Sequence, residues 1–245
     1  MLGCTIDLAM HTMKHTLFLF DLDDTLLDFK ASENLSFVRT MHALGVADAT
    51  ETLFGHYQPI NVALWRALEQ GTVTQHFLKV ERFRQTFLAA GLVLDPELAS
   101  RIYLESLSDT VVLIDGAVEL CASLAAIGEV GIITNGVEAI QNRRIASSGL
   151  QQHISFVATS EAYGHAKPDV RFFDYAMRMA RPVSKDQAIM IGDRLDADIL
   201  GANRYGIDSC WFNPAQMANT SLAVPTFEVA SLHQIATTLK NLAMA

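Results

Sequence analysis

The pattern of apolar and polar positions changes texture along the chain. Leu17 to Phe20 is a short, continuous apolar run, too short for a useful helix and rich in aromatics, and it predicts a fully buried strand. From about Ala31 to Asp109 the spacing turns helical. Leu35, Val38 and Met41 recur along a first helix that ends near Leu44-Gly45, and Tyr57, Ile60, Leu64 and Leu68 mark a second that closes at Gly71. Thr72 is placed to cap a third helix with Phe77, Val80, Phe83, Phe87 and Leu88 on one face, and Asp95-Pro96 opens a fourth through Leu98, Ile102 and Leu107. After Asp115-Gly116 the chain alternates. A helix through Val118, Cys121 and Leu124 leads to a buried strand at Val130–Thr134, and Asn135-Gly136 opens a helix reaching about Ser148-Gly149. Strands follow at 154–158, 188–191, 209–212 and 226–229, with helices at 169–179, 197–205 and 232–242.

Such alternation demands a doubly wound, mostly parallel sheet with right-handed crossovers. The first strand has no partner among the four helices but fits this sheet. The helical block is therefore an insertion. The expected architecture is α/β: a Rossmann-like core of residues 14–30 and 109–245, with a helical cap of 31–108 over the carboxyl edge of the strands.

Length and composition fit that picture, since 245 residues can bury a sizeable core and 50% apolar with 18% charged residues is ordinary for a soluble globular chain. A net charge of −9 with no basic block argues against a nucleic-acid partner. No run approaches the roughly 18 apolar residues of a membrane span. Residues 1–15 lack the basic and apolar regions of a secretory leader, and Met10 and Met13 leave the true start open. Cys4, Cys121 and Cys210 are widely spaced and read as reduced thiols, which places the protein in the cytoplasm.

The chemistry collects at strand ends. Asp21, Asp23 and Asp24 follow the first strand, and carboxylates there repel one another and lose solvation unless something compensates. A divalent cation does so most simply, and a few oxygen ligands beside an open loop suit Mg²⁺. The carboxyl ends of strands are also where open α/β sheets bind ligands. Thr134, Asn135 and Gly136 end another strand, where a hydroxyl and free N–H groups can hold a phosphate, or simply cap a helix. Lys167-Pro168 offers a cation to neutralise phosphate. Asp193 is the natural further metal ligand at a third strand end, and Asp198, about one helical turn on, can hold Lys167 or a metal-bound water, or the two simply complement a helix N-terminus.

These four segments in order resemble the motifs of the haloacid dehalogenase-like hydrolase superfamily, and the helical insertion resembles its type 1 cap. The resemblance implies Asp21 as the nucleophile that forms an aspartyl-phosphate, Asp23 as general acid and base, and Thr134 and Lys167 as stabilisers of the phosphoryl group. It also implies Mg²⁺ bound by the Asp21 carboxylate, the Asp23 carbonyl and the Asp193 carboxylate. Asp23 disfavours dehalogenation, whose enzymes lack it. Phosphonate hydrolysis would need a cap lysine, and Lys79 reads as part of a charged helix face.

Asn61-Val-Ala-Leu-Trp65, Gly71-Thr-Val-Thr74 and Glu81-Arg82-Phe83 are similar to the cap of bacterial pyrimidine 5'-nucleotidases. That likeness implies a nucleoside monophosphate such as UMP, dUMP or dTMP as substrate, with Asn61 on the base edge and Trp65 or Tyr57 stacked on the ring. On an amphipathic helix, however, Trp65 is expected in the core. Tyr163, His165 and Arg194 depart from the pattern near the phosphate or the cap mouth. The alternatives are a sugar-phosphate or other metabolite phosphatase and, more distantly, a non-catalytic phosphate-accepting module. Oligomeric state stays open.

Overall fold

The computed structural model describes residues 14–46 and 50–242. Cys4 and the alternative starts Met10 and Met13 lie outside them. Strand β1 (Leu17–Phe20) is followed by helices α1 (Phe29–Ala43), α2 (Thr50–Glu69), α3 (Gln75–Ala89) and α4 (Pro96–Asp109). Then come α5 (Ala117–Ala125), β2 (Glu129–Thr134), α6 (Glu138–Ser147), β3 (Phe156–Thr159), a short α7 (Ser160–Tyr163) and α8 (Val170–Met179). The chain closes with β4 (Ala188–Gly192), a π-helical turn at Leu195–Ile199, α9 (Leu200–Tyr205), β5 (Asp208–Phe212), β6 (Phe227–Val229) and α10 (Leu232–Leu242).

All six strands are parallel, in the order β3-β2-β1-β4-β5-β6. β1 is central, and the strand order reverses between it and β4, so the ligand crevice of a doubly wound sheet falls at their carboxyl ends. The two-residue alternation of β1 divides its side chains between the faces. Phe18 and Phe20 join Leu120, Cys121 and Leu124 of α5 and Leu232, Ile235 and Leu239 of α10. Leu17 and Leu19 pack with Phe172, Phe173 and Ala176 of α8.

The helices α1 to α4 bury a cluster of their own, centred on Phe37, Tyr57, Phe83, Phe87 and Tyr103. Here the apolar pattern misleads. Leu35, Phe77 and Leu88, expected inside, are exposed, while Ser32, Ser36, Thr40, Arg82 and Thr86 are buried. Ser36 Oγ has no partner among the described residues, but the other three hydroxyls bond back to the preceding turn: Ser32 to the Asp28 carbonyl at 2.8 Å, Thr40 to the Ser36 carbonyl at 2.7 Å and Thr86 to the Arg82 carbonyl at 2.6 Å. Satisfied in this way, they occupy core positions that periodicity reserves for apolar residues.

Two predicted helix starts move. Thr74, not Thr72, caps α3 by accepting from the Phe77 N–H, because the Thr72 hydroxyl closes α2 on the Ala67 carbonyl. Likewise α6 begins at Glu138 rather than at Asn135-Gly136, since the Gly136 N–H turns back onto Thr134 Oγ1 at 3.1 Å. Asp95 caps α4 as expected.

Candidate active site

Residues beyond the ends of β1, β2 and β4 meet in one cavity of about 420 Å³, which the inner ends of α1, α2 and α3 also line. Asp21 continues β1 and donates its N–H to the Ile191 carbonyl, which fixes the carboxylate at the crevice. Lys167 Nζ lies 2.6 Å from Asp21 Oδ1 and 2.8 Å from Asp198 Oδ1, with all three side chains nearly enclosed. Burial alone would lower the Lys167 ammonium, but Asp198 and Asp21 outweigh it and hold the group above its ordinary value.

The carboxylates outnumber this cation. Burial pushes Asp21 up to about 7, with Lys167 opposing and Asp198 and Asp23 adding to the rise. Burial also raises Asp193 to about 9, helped by Asp21 and Asp198. One carboxylate oxygen from each of Asp21, Asp193 and Asp198 lies within 4.8 Å of the others, and buried Asp193 Oδ1 has no hydrogen-bond partner among the described residues. An all-oxygen donor set with an unpaired buried carboxylate fits a hard divalent cation. The Asp193 backbone is held independently, its N–H by Thr25 Oγ1 at 3.1 Å and its carbonyl by Trp211 Nε1 at 2.9 Å.

Asp24 has a different role from its neighbours. It adopts φ +60 and accepts the Phe29 and Lys30 N–H groups at 3.0 and 3.3 Å, turning the chain from β1 into α1. Gly192 also shapes the site, because a Cβ there would sit 2.2 Å from Asp198 Oδ2. That close approach lets Asp198 reach Lys167 with Oδ1 while Oδ2 accepts the Arg194 N–H at 3.0 Å.

Two residues of the site escaped the sequence reading. Gln141 donates to Asp23 Oδ2 at 2.6 Å and to Thr134 Oγ1 at 3.1 Å, and fully buried Arg144 donates to Asp23 Oδ1 at 2.5 Å. They sit three residues apart on α6, so one helix face holds both the Asp23 carboxylate and the Thr134 hydroxyl. Helical spacing of polar residues behind a glycine-containing strand end was the available signal.

Asn135 lines the cavity, and its amide is committed to protein partners. Oδ1 accepts the Lys167 N–H at 2.8 Å, and Nδ2 donates to the Lys167 carbonyl at 3.1 Å and to Glu69 at 3.3 Å. Gly136 lines the cavity with its N–H already committed to Thr134.

Three expectations about aromatic and charged residues are corrected. Trp65 is half-buried and lines the cavity instead of filling a core, whereas Tyr57 is the enclosed one, packed on Phe37 at 4.8 Å between ring centroids. Lys79 is not on a solvated face but lines the cavity, with Glu161 at 3.4 Å. Tyr163 stacks on Tyr175 at 4.3 Å, and His165 lies in a neighbouring depression, so neither lines the cavity that Arg194 does. Asn61 is buried at the cavity wall, bonded to Glu33 and Arg82.

Comparison with known proteins agrees with this layout. A family model described as haloacid dehalogenase-like hydrolase matches residues 15–206. The chain is 36% identical over 224 residues to the pyrimidine 5'-nucleotidase PynA of Streptococcus pneumoniae, spanning 91% of this chain and 94% of that protein. It is 31% identical over 223 residues to the pyrimidine 5'-nucleotidase YjjG of Escherichia coli, spanning 91% and 97%. The magnesium-bound structure of the HAD-hydrolase YfnB from Bacillus subtilis superposes with a TM-score of 0.86 at 33% identity, covering 92% of this chain and 99% of that one. Among the described residues no helix is long and apolar enough to cross a membrane. With the six-stranded parallel sheet, the strand-end carboxylates and the family model in agreement, the chain belongs to the haloacid dehalogenase-like hydrolases.

Proposed function

We propose that the protein is a Mg²⁺-dependent phosphomonoesterase, acting as a nucleoside 5'-monophosphatase with preference for UMP, dUMP and dTMP. Residues 14–30 and 109–245 form the catalytic core, and 31–108 form a cap over it. The observation that carries the chemistry is Asp21 held against Lys167 at the switch point of the sheet, with Asp193 beside it. The preference for pyrimidine nucleotides rests on the relatives PynA and YjjG, both named for that activity.

Asp21 attacks phosphorus in line, an Asp21–phosphorus bond forms, and the ester bond to the nucleoside oxygen breaks. Asp23 gives its proton to the departing alkoxide. It then takes a proton from the water that attacks the aspartyl-phosphate, releasing inorganic phosphate and restoring Asp21. Lys167 and Thr134 offset the charge on the phosphoryl oxygens, and Gln141 and Arg144 orient Asp23 from behind. Asp21, Asp193 and the Asp23 carbonyl would hold Mg²⁺, which when bound neutralises phosphate charge. Asp198 fixes Lys167 and the start of the loop at Arg194.

The test is phosphate release from a panel of nucleoside and sugar monophosphates, with Mg²⁺ and with EDTA. Selective, Mg²⁺-dependent hydrolysis of UMP, dUMP and dTMP is expected. Equal or better hydrolysis of sugar phosphates would discard the nucleotide preference, and no release from any substrate would discard the phosphatase.

A further inference from the structure

On its helical side the cavity is lined by three buried polar side chains that phosphoryl transfer does not use. Glu33 of α1, Asn61 of α2 and Arg82 of α3 are exposed by only 4%, 3% and 2%. Their bonds run in one direction. Arg82 Nη1 donates to Asn61 Oδ1 at 3.3 Å, and Asn61 Nδ2 donates to Glu33 Oε1 at 2.6 Å. Arg82 also donates Nε to the Lys79 carbonyl at 3.4 Å and lies 4.4 Å over the Tyr103 ring, with no ion pair among the described residues.

A guanidinium carries five N–H donors, and two long bonds leave most of them unspent. Around these groups the helical layer is aromatic, so the guanidinium N–H groups that reach neither Asn61 nor Lys79 lose solvation without a hydrogen bond in exchange. A ligand that completes their hydrogen bonds supplies one.

The network also fixes which ligand. Asn61 must turn its nitrogen to Glu33 and its oxygen to Arg82, so its orientation follows from its partners. What remains for the cavity is an Nδ2 hydrogen, an Oδ1 lone pair and, beyond it, guanidinium N–H: donor, acceptor, donor.

We propose that Glu33, Asn61 and Arg82 form the base-recognition site, in which Asn61 and Arg82 read the carbonyl, N–H, carbonyl edge of a uracil or thymine ring while Glu33 holds Asn61 in register. The proposal rests on the nucleotidase reading above. Cytosine, which offers an amino group, a bare ring nitrogen and a carbonyl, mismatches two of the three positions either way round.

The wild-type enzyme is assayed with Mg²⁺ on UMP, CMP, ribose 5-phosphate and N3-methyl-UMP, whose ring N–H is replaced by a methyl group. Asn61→Ala is assayed on the same set. Wild type should favour UMP over both CMP and N3-methyl-UMP by about ten- to hundredfold in kcat/KM, the range for unpaired polar groups at a recognition edge. In Asn61→Ala the added methyl group enters the vacated space, and the ratio of UMP to N3-methyl-UMP should fall to within about threefold of one. A merely structural Asn61 would lower all substrates together and keep the wild-type ratio, which would overturn the assignment. So would a wild-type enzyme that prefers UMP to ribose 5-phosphate yet accepts N3-methyl-UMP equally; the nucleotidase reading would then survive. Equal hydrolysis of UMP and ribose 5-phosphate by wild type would overturn the nucleotidase reading, and the base site with it. The wild-type arm needs no variant, so the test stands even where Asn61→Ala does not fold.

Discussion

Asp21, Asp23 and Asp24 are adjacent in sequence but occupy three different environments. Asp21 faces Lys167, Asp23 is held by Gln141 and Arg144, and Asp24 accepts backbone N–H groups at a left-handed turn. Only the first faces Lys167, and it is the one proposed as nucleophile. Asp21→Asn keeps the shape but removes the anionic nucleophile, and phosphate release should fall by more than about a thousandfold with the circular dichroism spectrum unchanged. Near wild-type turnover would assign the nucleophile elsewhere. Glu33 gives a second test, through stability. Burial, opposed by Arg82 and Asn61, raises its carboxyl from 4.5 to about 7. Between those values the folded chain binds more protons than the unfolded one, so this group lowers stability as pH rises to about 7 and no further. Glu33→Gln lacks the titration but keeps an oxygen for Asn61. Its stability relative to wild type should therefore grow by about 2–3 kcal/mol between pH 5 and pH 8, the part of that pKa difference that titrates within the window. Urea unfolding at both pH values, with Mg²⁺ throughout, checks this; a pH-independent difference would show that Glu33 is not held in its acid form.

Between elements, the contact most relevant to the cavity joins the end of α2 to the loop after β4. Glu69 receives both terminal nitrogens of Arg194, at 2.6 and 3.1 Å, and also Asn135 Nδ2. The Arg194 side chain is 39% exposed, so this pair contributes about 0.2–1 kcal/mol and is weakened by salt. Glu69 and Arg194 both line the cavity, so the pair sets the position of the guanidinium that a bound substrate meets there. Glu69→Gln should then raise KM by about two- to fivefold with little change in kcat, and its KM should respond less to salt than wild type's. Identical salt slopes would show that the pair has no part in substrate binding. At this scale it is also clear which features the sequence could reveal. Carboxylates at the ends of apolar runs stand out, so Asp21 at β1 and Asp193 at β4 were legible, as were the strands themselves. Arg144 and Gln141 were not, because an arginine three residues from a glutamine on a short helix reads as a solvated face. The inner face of α3 was misassigned for the reason that Arg82 and Thr86 find partners within the layer. Glu33, Asn61 and Arg82 come from three helices, and no single helix's spacing encodes their meeting.

Across the whole molecule, the sheet layer and the helical layer each have their own apolar cluster, and the acidic site lies between them. Nothing apolar compensates Asp21, Asp193 and Asp198 there, and Lys167 supplies one positive charge against three carboxyls. A cation that binds only the folded chain adds RT ln(1 + [L]/Kd), about 2.7 kcal/mol at a hundredfold excess over Kd. For a chain of this size each kcal/mol moves Tm by about 2–4 °C, so saturating Mg²⁺ should raise Tm by roughly 5–10 °C over the EDTA-treated protein. The rise should be larger at pH 8 than at pH 6. Burial and mutual repulsion raise Asp21 and Asp193, so protons compete with the cation for them at the lower pH and are fewer at the higher. Asp193→Asn removes the carboxylate without a hydrogen-bond partner, and it should shrink the Mg²⁺-induced rise and move the activation midpoint to higher Mg²⁺. Thermal melts across a Mg²⁺ titration read the first effect, and phosphate release across the same titration reads the second. If Asp193→Asn kept the wild-type shift and midpoint, the cation would lie away from β4, and with it the chemistry assigned to the β1–β4 switch point.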